Sequence, residues 1–280
     1  MIEIKDLTFG YDKQASQVFE QTNLTFEKNK VYGLLGKNGT GKTTLLHLIS
    51  GLLFADSGSI TIDGTDAALR SRKVLSKVLL LPDECASLRM TVARYAELYG
   101  AFYPRFSPEK FEECLSEFDI EPSLRLDGMS LGQRKKAYIS FALATQVGYL
   151  LMDEPTNGLD IPSKSTLRRL LLQQTGDSQT VIISTHLAHD IEQMLDHVVI
   201  VGSGRCLFSR SVADITADYA FVERSTADGS DVVYAEPSPQ GYRLVTRNND
   251  KQDTTLDLEL LFKAVVTEGL RVGQKDIRTY

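Results

Sequence analysis

No stretch of this 280-residue chain runs beyond four consecutive apolar residues, Val78–Leu81 and 149–152 being typical. A bilayer-spanning helix needs about 20, so the chain is not expected to cross a membrane by itself. The opening residues alternate apolar and polar side chains and lack both a basic n-region and an apolar h-region, so no leader is read and a cytoplasmic location is expected. Cysteine is scarce: Cys85, Cys114 and Cys206 are scattered and form no CxxC pair, which excludes a disulfide framework and a cysteine zinc site. They should be reduced and mostly buried. An excess of positive charge is also missing. Lys and Arg number 31 against 37 Asp and Glu, and the net charge of -6 argues against a surface that holds nucleic acid by general positive charge. Internal repeats and low-complexity tracts are absent. What is present is ordinary for a substantial core, with 42% apolar and 24% charged residues. At roughly 100 to 200 residues per domain, the length fits one main domain with an appendage.

Short alternating pieces open the chain (Ile2 and Ile4, Leu7 and Phe9, Leu24 and Phe26, Ile60 and Ile62 before Asp63-Gly64) and read as antiparallel strands. Between them Val31–Leu35 is continuously apolar, and a glycine-rich loop leads to a helix over 43–50 that Gly51 should stop. From 91 to 147 the pattern is mainly helical, with Ser107-Pro108 a cap pair and Phe111, Leu115 and Phe118 on one face. Strands (148–152, 179–184, 198–201) and helices (163–173, 188–195) then alternate, which favours a parallel sheet covered by helices. Beyond about Arg210 come three more strand-like stretches, near 219–223, 231–235 and 242–247, and a helix over 256–267. Residues 211–280 hold 12 acids and 8 bases, and so carry four of the six net negative charges.

Residues 36–43, GKNGTGKT, match the phosphate-loop pattern GxxxxGK[ST] in the strand–loop–helix setting that the pattern requires. Glycines, with Asn38, permit positive φ angles that turn successive backbone N–H groups toward one concavity, and the helix N-terminus adds partial positive charge. Lys42 is expected to reach the β- and γ-phosphates, and Thr43 to offer a hydroxyl to Mg²⁺. The strand at 149–152 ends in Asp153 and Glu154, at the edge of the sheet where open α/β folds bind ligands. Asp153 fits a Mg²⁺-holding role, and Glu154 that of general base toward an attacking water. Ser130 is read as the N-cap of a helix, presenting a hydroxyl and free N–H groups to an anion.

Taken in order, GKNGTGKT (36–43), MSLGQ (129–133), LLMDEPTNGLD (150–160) and STH (184–186) resemble the nucleotide-binding subunit of an ABC transporter over roughly residues 1–210. The resemblance implies an α/β fold, a P-loop NTPase core of the ABC type with an antiparallel β subdomain, a helical insertion at about 84–147, and a small α+β appendage over 211–280. It implies ATP and Mg²⁺ as ligands, held by Gly36, Lys37, Asn38, Gly39, Thr40, Gly41, Lys42, Thr43 and Thr44 in the loop. Tyr11 stands where the family stacks an aromatic on adenine. Ser130, Gly132 and Gln133 match the signature that contacts the γ-phosphate held by the other subunit of a head-to-tail dimer, Asp160 matches the D-loop, and His186 matches the switch histidine. Lys42, Glu154 and His186 are thus the implied catalytic set, with Thr43 and Asp153 on the metal. Leu131 stands where the commonest signature has glycine. After the strand ending at Leu81 the family has glutamine and this chain has Asp83, a carboxylate able to approach Mg²⁺ or its water, with Glu84 as the alternative.

The insertion's aromatics, including Phe102, Tyr103, Phe106, Phe111 and Phe118, are similar to those of small bacterial exporter-type ATPases. The expected protein is therefore the ATP-hydrolysing subunit of an exporter, a homodimer or heterodimer on the inner face of the cell membrane. It would bind a separate integral membrane permease and no nucleic acid. The alternative is a soluble ABC ATPase of an assembly machinery, such as iron–sulfur cluster assembly, with no transported solute.

Overall fold

The structure is a computed structural model that describes residues 1–12, 17–174 and 179–268. In chain order it runs β1 (Ile2–Phe9), β2 (Phe19–Phe26), β3 (Val31–Leu35), α1 (Lys42–Ile49), β4 (Ser57–Ile62), β5 (Thr65–Asp66), α2 (Arg72–Leu75) and β6 (Val78–Leu81). Three helices follow, α3 (Val92–Gly100), α4 (Pro108–Glu117) and α5 (Leu131–Ala144). Next come β7 (Tyr149–Asp153), α6 (Ile161–Gln174), β8 (Thr180–Thr185), β9 (His197–Gly202) and β10 (Arg205–Ser211). The chain closes with α7 (Val212–Asp218), β11 (Tyr219–Arg224), β12 (Val232–Ser238), β13 (Gly241–Arg247) and α8 (Leu258–Glu268).

Two sheets enclose α1. The antiparallel one has the order β2-β1-β4-β5, and Ile2 and Ile4 lie opposite Ile62 and Ile60, so the alternation read from the sequence falls on one inward face. The other has the order β10-β9-β3-β8-β7-β6; β9, β3, β8, β7 and β6 run parallel and β10 is antiparallel at the edge. Strand side chains alternate between faces, and here both faces are covered. Tyr32, Leu34, Leu151, Ile182 and Val199 pack on one side with α1 and the inward residues of the antiparallel sheet. Val31, Leu35, Met152, Ile183 and Val198 pack on the other with the helical insertion, α6 and α8. This explains the unbroken apolar run of β3. Cys85 and Cys114 are buried, and Cys206 is half-buried.

Ser107 caps α4 through its hydroxyl, which accepts from Lys110 N at 3.2 Å, and Pro108 opens the helix as expected. Gly51 ends α1 at φ 71°, a left-handed conformation. The single helix expected over 188–195 is instead two 3₁₀ turns, Ala188–Asp190 and Glu192–Met194. Ile191, Met194 and Leu195 are buried in the core, and the stretch is also tied at two points by charged groups: Asp190 takes an ion pair from Lys164 at 2.7 Å and Glu192 accepts from Leu258 N at 3.3 Å. Residues 212–268 form α7, a three-stranded sheet, β11-β13-β12, and α8. Leu258, Leu261 and Val265 of α8 join the same core cluster as the parallel sheet. Among the described residues no helix is long and apolar enough to cross a membrane.

Candidate functional site

The phosphate loop leaves the C-terminal end of β3 and enters α1, whose N-cap is Gly41 at φ 97°. A Cβ there would stand 2.7 Å from Val18 Cγ1 and 2.8 Å from Phe19 Cζ, so both the backbone angle and the lack of space call for glycine. No side chain caps α1. Its first N–H groups are therefore left for an outside acceptor, and the helix end favours a negative one. Lys42 is buried and donates to Gly36 O at 2.8 Å. Burial holds its pKa below the ordinary lysine value, and the nearby Glu154 and Asp153 carboxylates oppose that shift. Tyr11 is 66% exposed, stands edge-on to Phe9, and shares a 2.8 Å hydrogen bond with Thr44 Oγ1, so the aromatic ring expected at adenine flanks the loop helix.

Asp153 and Glu154 emerge at the end of β7. Thr43 Oγ1 donates to Asp153 Oδ2 at 2.7 Å, and Ser184 at the end of β8 donates to its other oxygen. A buried carboxylate beside a threonine hydroxyl is an all-oxygen pair of the kind that Mg²⁺ takes while keeping most of its waters. Glu154 has φ 43°, outside the strand conformation, and its N–H donates to Ser184 O at 3.0 Å. That turn carries its side chain to His186, whose Nδ1 lies 2.9 Å from Glu154 Oε1 and whose N–H donates to Oε2 at 3.3 Å. The structure thus brings Lys42, Thr43, Asp153, Glu154 and His186 together around the ends of three neighbouring parallel strands.

Ser130 caps α5 in a reciprocal box: Gln133 N donates to Ser130 Oγ at 3.2 Å and Ser130 N donates to Gln133 Oε1 at 3.1 Å. The expected cap is present, and Ser130, Leu131 and Gln133 are exposed at its tip. Gly132 packs on the loop before α6: a Cβ on it would stand 2.7 Å from Gly158 O. Asp160 in that loop accepts from Ser163 N at 2.9 Å, and hydrogen bonds from Ser163, helped by Lys136, hold its carboxyl below the usual range. Among the described residues no hydrogen bond joins 130–133 to the phosphate loop.

Asp83, expected to face the metal, sits against a cation. Lys135 Nζ lies 2.8 Å from Asp83 Oδ1, and Asn157 Nδ2 is 3.4 Å from both carboxylate oxygens. Lys135 is a site residue that the motifs did not single out, and Ser184, inside the STH motif, was given no role of its own. A signal for Lys135 existed: it lies three and four residues before Tyr138 and Ile139, on the inward face of α5.

An ABC transporter family profile matches residues 19–157. The ABC transporter ATP-binding protein NatA of Bacillus subtilis (strain 168) is 31% identical over 217 residues, 74% of this chain and 88% of its own length. The lipopolysaccharide export system ATP-binding protein LptB of Haemophilus influenzae is 29% identical over 214 residues, 73% of this chain and 89% of its own. A solved structure of the ATP-binding subunit of an ABC transporter aligns with a TM-score of 0.70 at 26% identity, over 77% of this chain and 91% of that one.

Proposed function

The chain belongs to the ATP-binding proteins of ABC transporters and is an ATPase; from that premise we propose that it drives a separate membrane permease, in the exporting direction, by ATP-dependent pairing of two such subunits. Export is supported by the likeness to LptB, a component of an export system. Two subunits are supported by the placement of the signature tip, which is exposed and makes no hydrogen bond to its own phosphate loop among the described residues. The proposed location follows: the cytoplasmic face of the membrane, through the permease.

In this reading Lys42 and the free N–H groups of α1 bind the phosphates, and Tyr11 flanks the base. Thr43 and Asp153 would hold Mg²⁺, which would supply positive charge to offset that of the phosphates. Glu154 takes a proton from water as the water oxygen bonds to the γ-phosphorus; the bond from that phosphorus to the bridging oxygen breaks, and ADP and phosphate result. His186 orients the carboxylate. Ser130, Gly132, Gln133 and Asp160 serve the site across the dimer.

The observation that carries this reading is the Glu154–His186 contact at 2.9 Å beside Lys42 and Asp153. Replacing Glu154 with Gln should cut the rate of phosphate release by about 10² to 10⁴-fold and leave ATP binding in place, so that the variant elutes as a dimer with ATP. Hydrolysis at the parent rate would show that Glu154 is not the base.

A further inference from the structure

One side of α5 grips the segment that links β6 to the helical insertion. Arg134 Nε donates to Cys85 O at 3.1 Å, Tyr138 OH to Ala86 O at 3.0 Å, and Lys135 Nζ to Asp83 O at 3.0 Å. Lys135 does more than its neighbours. Its ammonium also donates to Asp83 Oδ1 at 2.8 Å and to Glu154 O at 2.7 Å, so all three of its protons are used at a side chain only 1% exposed. The Glu154 carbonyl belongs to the residue whose backbone turns left-handed to aim its carboxylate at His186.

We propose that Lys135 is a positioning residue for hydrolysis: its ammonium fixes the peptide of Glu154 against the 83–86 segment, and Asp83 serves as the counter-ion that lets a cation sit there. A buried ammonium needs a compensating charge, and Asp83 is the carboxylate within hydrogen-bond distance. A carboxylate carried by a left-handed residue at the end of a strand keeps its direction only if the flanking peptides are held, and here Ser184 holds the N–H and Lys135 the carbonyl. The inference rests on Glu154 as the base, and its test separates the two.

Steady-state phosphate release, ATP affinity and melting temperature would be measured on the full chain with Asp83→Asn, Lys135→Gln, the double variant and Glu154→Gln. Asp83 is 43% exposed, so Asp83→Asn should still fold, with some loss of melting temperature because the buried ammonium is left without its counter-ion. Each single variant should lower kcat by about 10- to 100-fold and move the KM for ATP by less than about threefold, since phosphate-binding groups are untouched. The double variant, with no unpaired charge and a Gln amide to donate to the carbonyls, should return to within about threefold of the parent, a strong departure from additivity. A merely structural role would instead lower melting temperature, affinity and kcat together. Parental kcat in Asp83→Asn or Lys135→Gln, or losses that simply multiply in the double variant, would overturn the positioning role. If Lys135→Gln does not fold, Asp83→Asn alone decides. Glu154→Gln hydrolysing at the parent rate would remove the base assignment itself; an inactive Glu154→Gln beside fully active Lys135 and Asp83 variants would remove only the inference.

Discussion

Glu154 shows how one residue concentrates the demands of this site. Its φ of 43° is a conformation that a side chain with a Cβ adopts at a cost of about 1–3 kcal/mol, sustained by Ser184 on one side and Lys135 on the other. Gly132 carries the opposite constraint, a position where even a methyl group is too much. Gly132→Ala would put a Cβ 2.7 Å from Gly158 O, a backbone atom that moves only with its loop. We expect about 1–3 kcal/mol of destabilisation and reduced turnover, read from a urea melt followed by circular dichroism and from phosphate release; an unchanged midpoint would mean that the tip of α5 yields freely. At this scale the sequence was most legible where a motif fixes chemistry by spacing: the loop, the paired carboxylates and His186 all meet at the ends of β3, β7 and β8. It was least legible where a residue works through a backbone carbonyl. Ser184 meets Asp153 and the Glu154 peptide only after β7 and β8 pair, and Lys135 meets Asp83 and Glu154 only where α5 lies beside the ends of the paired β6 and β7; spacing along the chain does not encode that.

Elements were readable where period and burial coincide, as in β3, α1 and the Ser107 and Ser130 caps. The 188–194 stretch shows the limit: its apolar spacing suits a helix, but contacts from α6 and α8 at Asp190 and Glu192 win over that local preference. The last helix adds a consequence. Leu261 in α8 is fully buried and belongs to the cluster that includes the parallel sheet. Leu261→Ala should therefore cost about 2–5 kcal/mol and lower the midpoint of the main unfolding transition. A separate early transition for the appendage, with the main one unmoved, would show that α8 folds apart from the ATP-binding core.

For the molecule as a whole, Asp63 joins the two sheets. Its carboxylate collects Lys77 at 2.6 Å, Lys28 at 2.9 Å, Tyr149 OH at 2.6 Å and the N-terminal amine at 2.8 Å. Burial works to raise its pKa, but these four donors prevail and hold the carboxyl well below the usual range. A depressed folded pKa stabilises the fold above the unfolded value of about 3.9, and that stability is lost as pH falls through and below it. Asp63→Asn should be less stable at neutral pH by about 1–2 kcal/mol, a figure reduced for solvent reaching the lysines, and should lose less on acidification. Equal acid slopes in the two proteins would clear Asp63 of this role. The proposed permease has its own check: a polytopic membrane protein should co-purify from gently solubilised membranes, and a soluble assembly scaffold in its place would refute transport.

Mechanically, α5 is a short arm pinned near one end. Lys135 lies five residue steps along from Ser130 at its tip, a rise of about 7.5 Å, so a tilt of about 10° around the ammonium carries the tip through roughly 1 Å. Because Lys135 holds the carbonyl of Glu154 at 2.7 Å, the pin of this arm is also a mount for the residue proposed as the base. If the tip seats on a partner's nucleotide, as proposed, its movement would reach the peptide of Glu154 through the one side chain of Lys135, with no hinge or loop to absorb it in between.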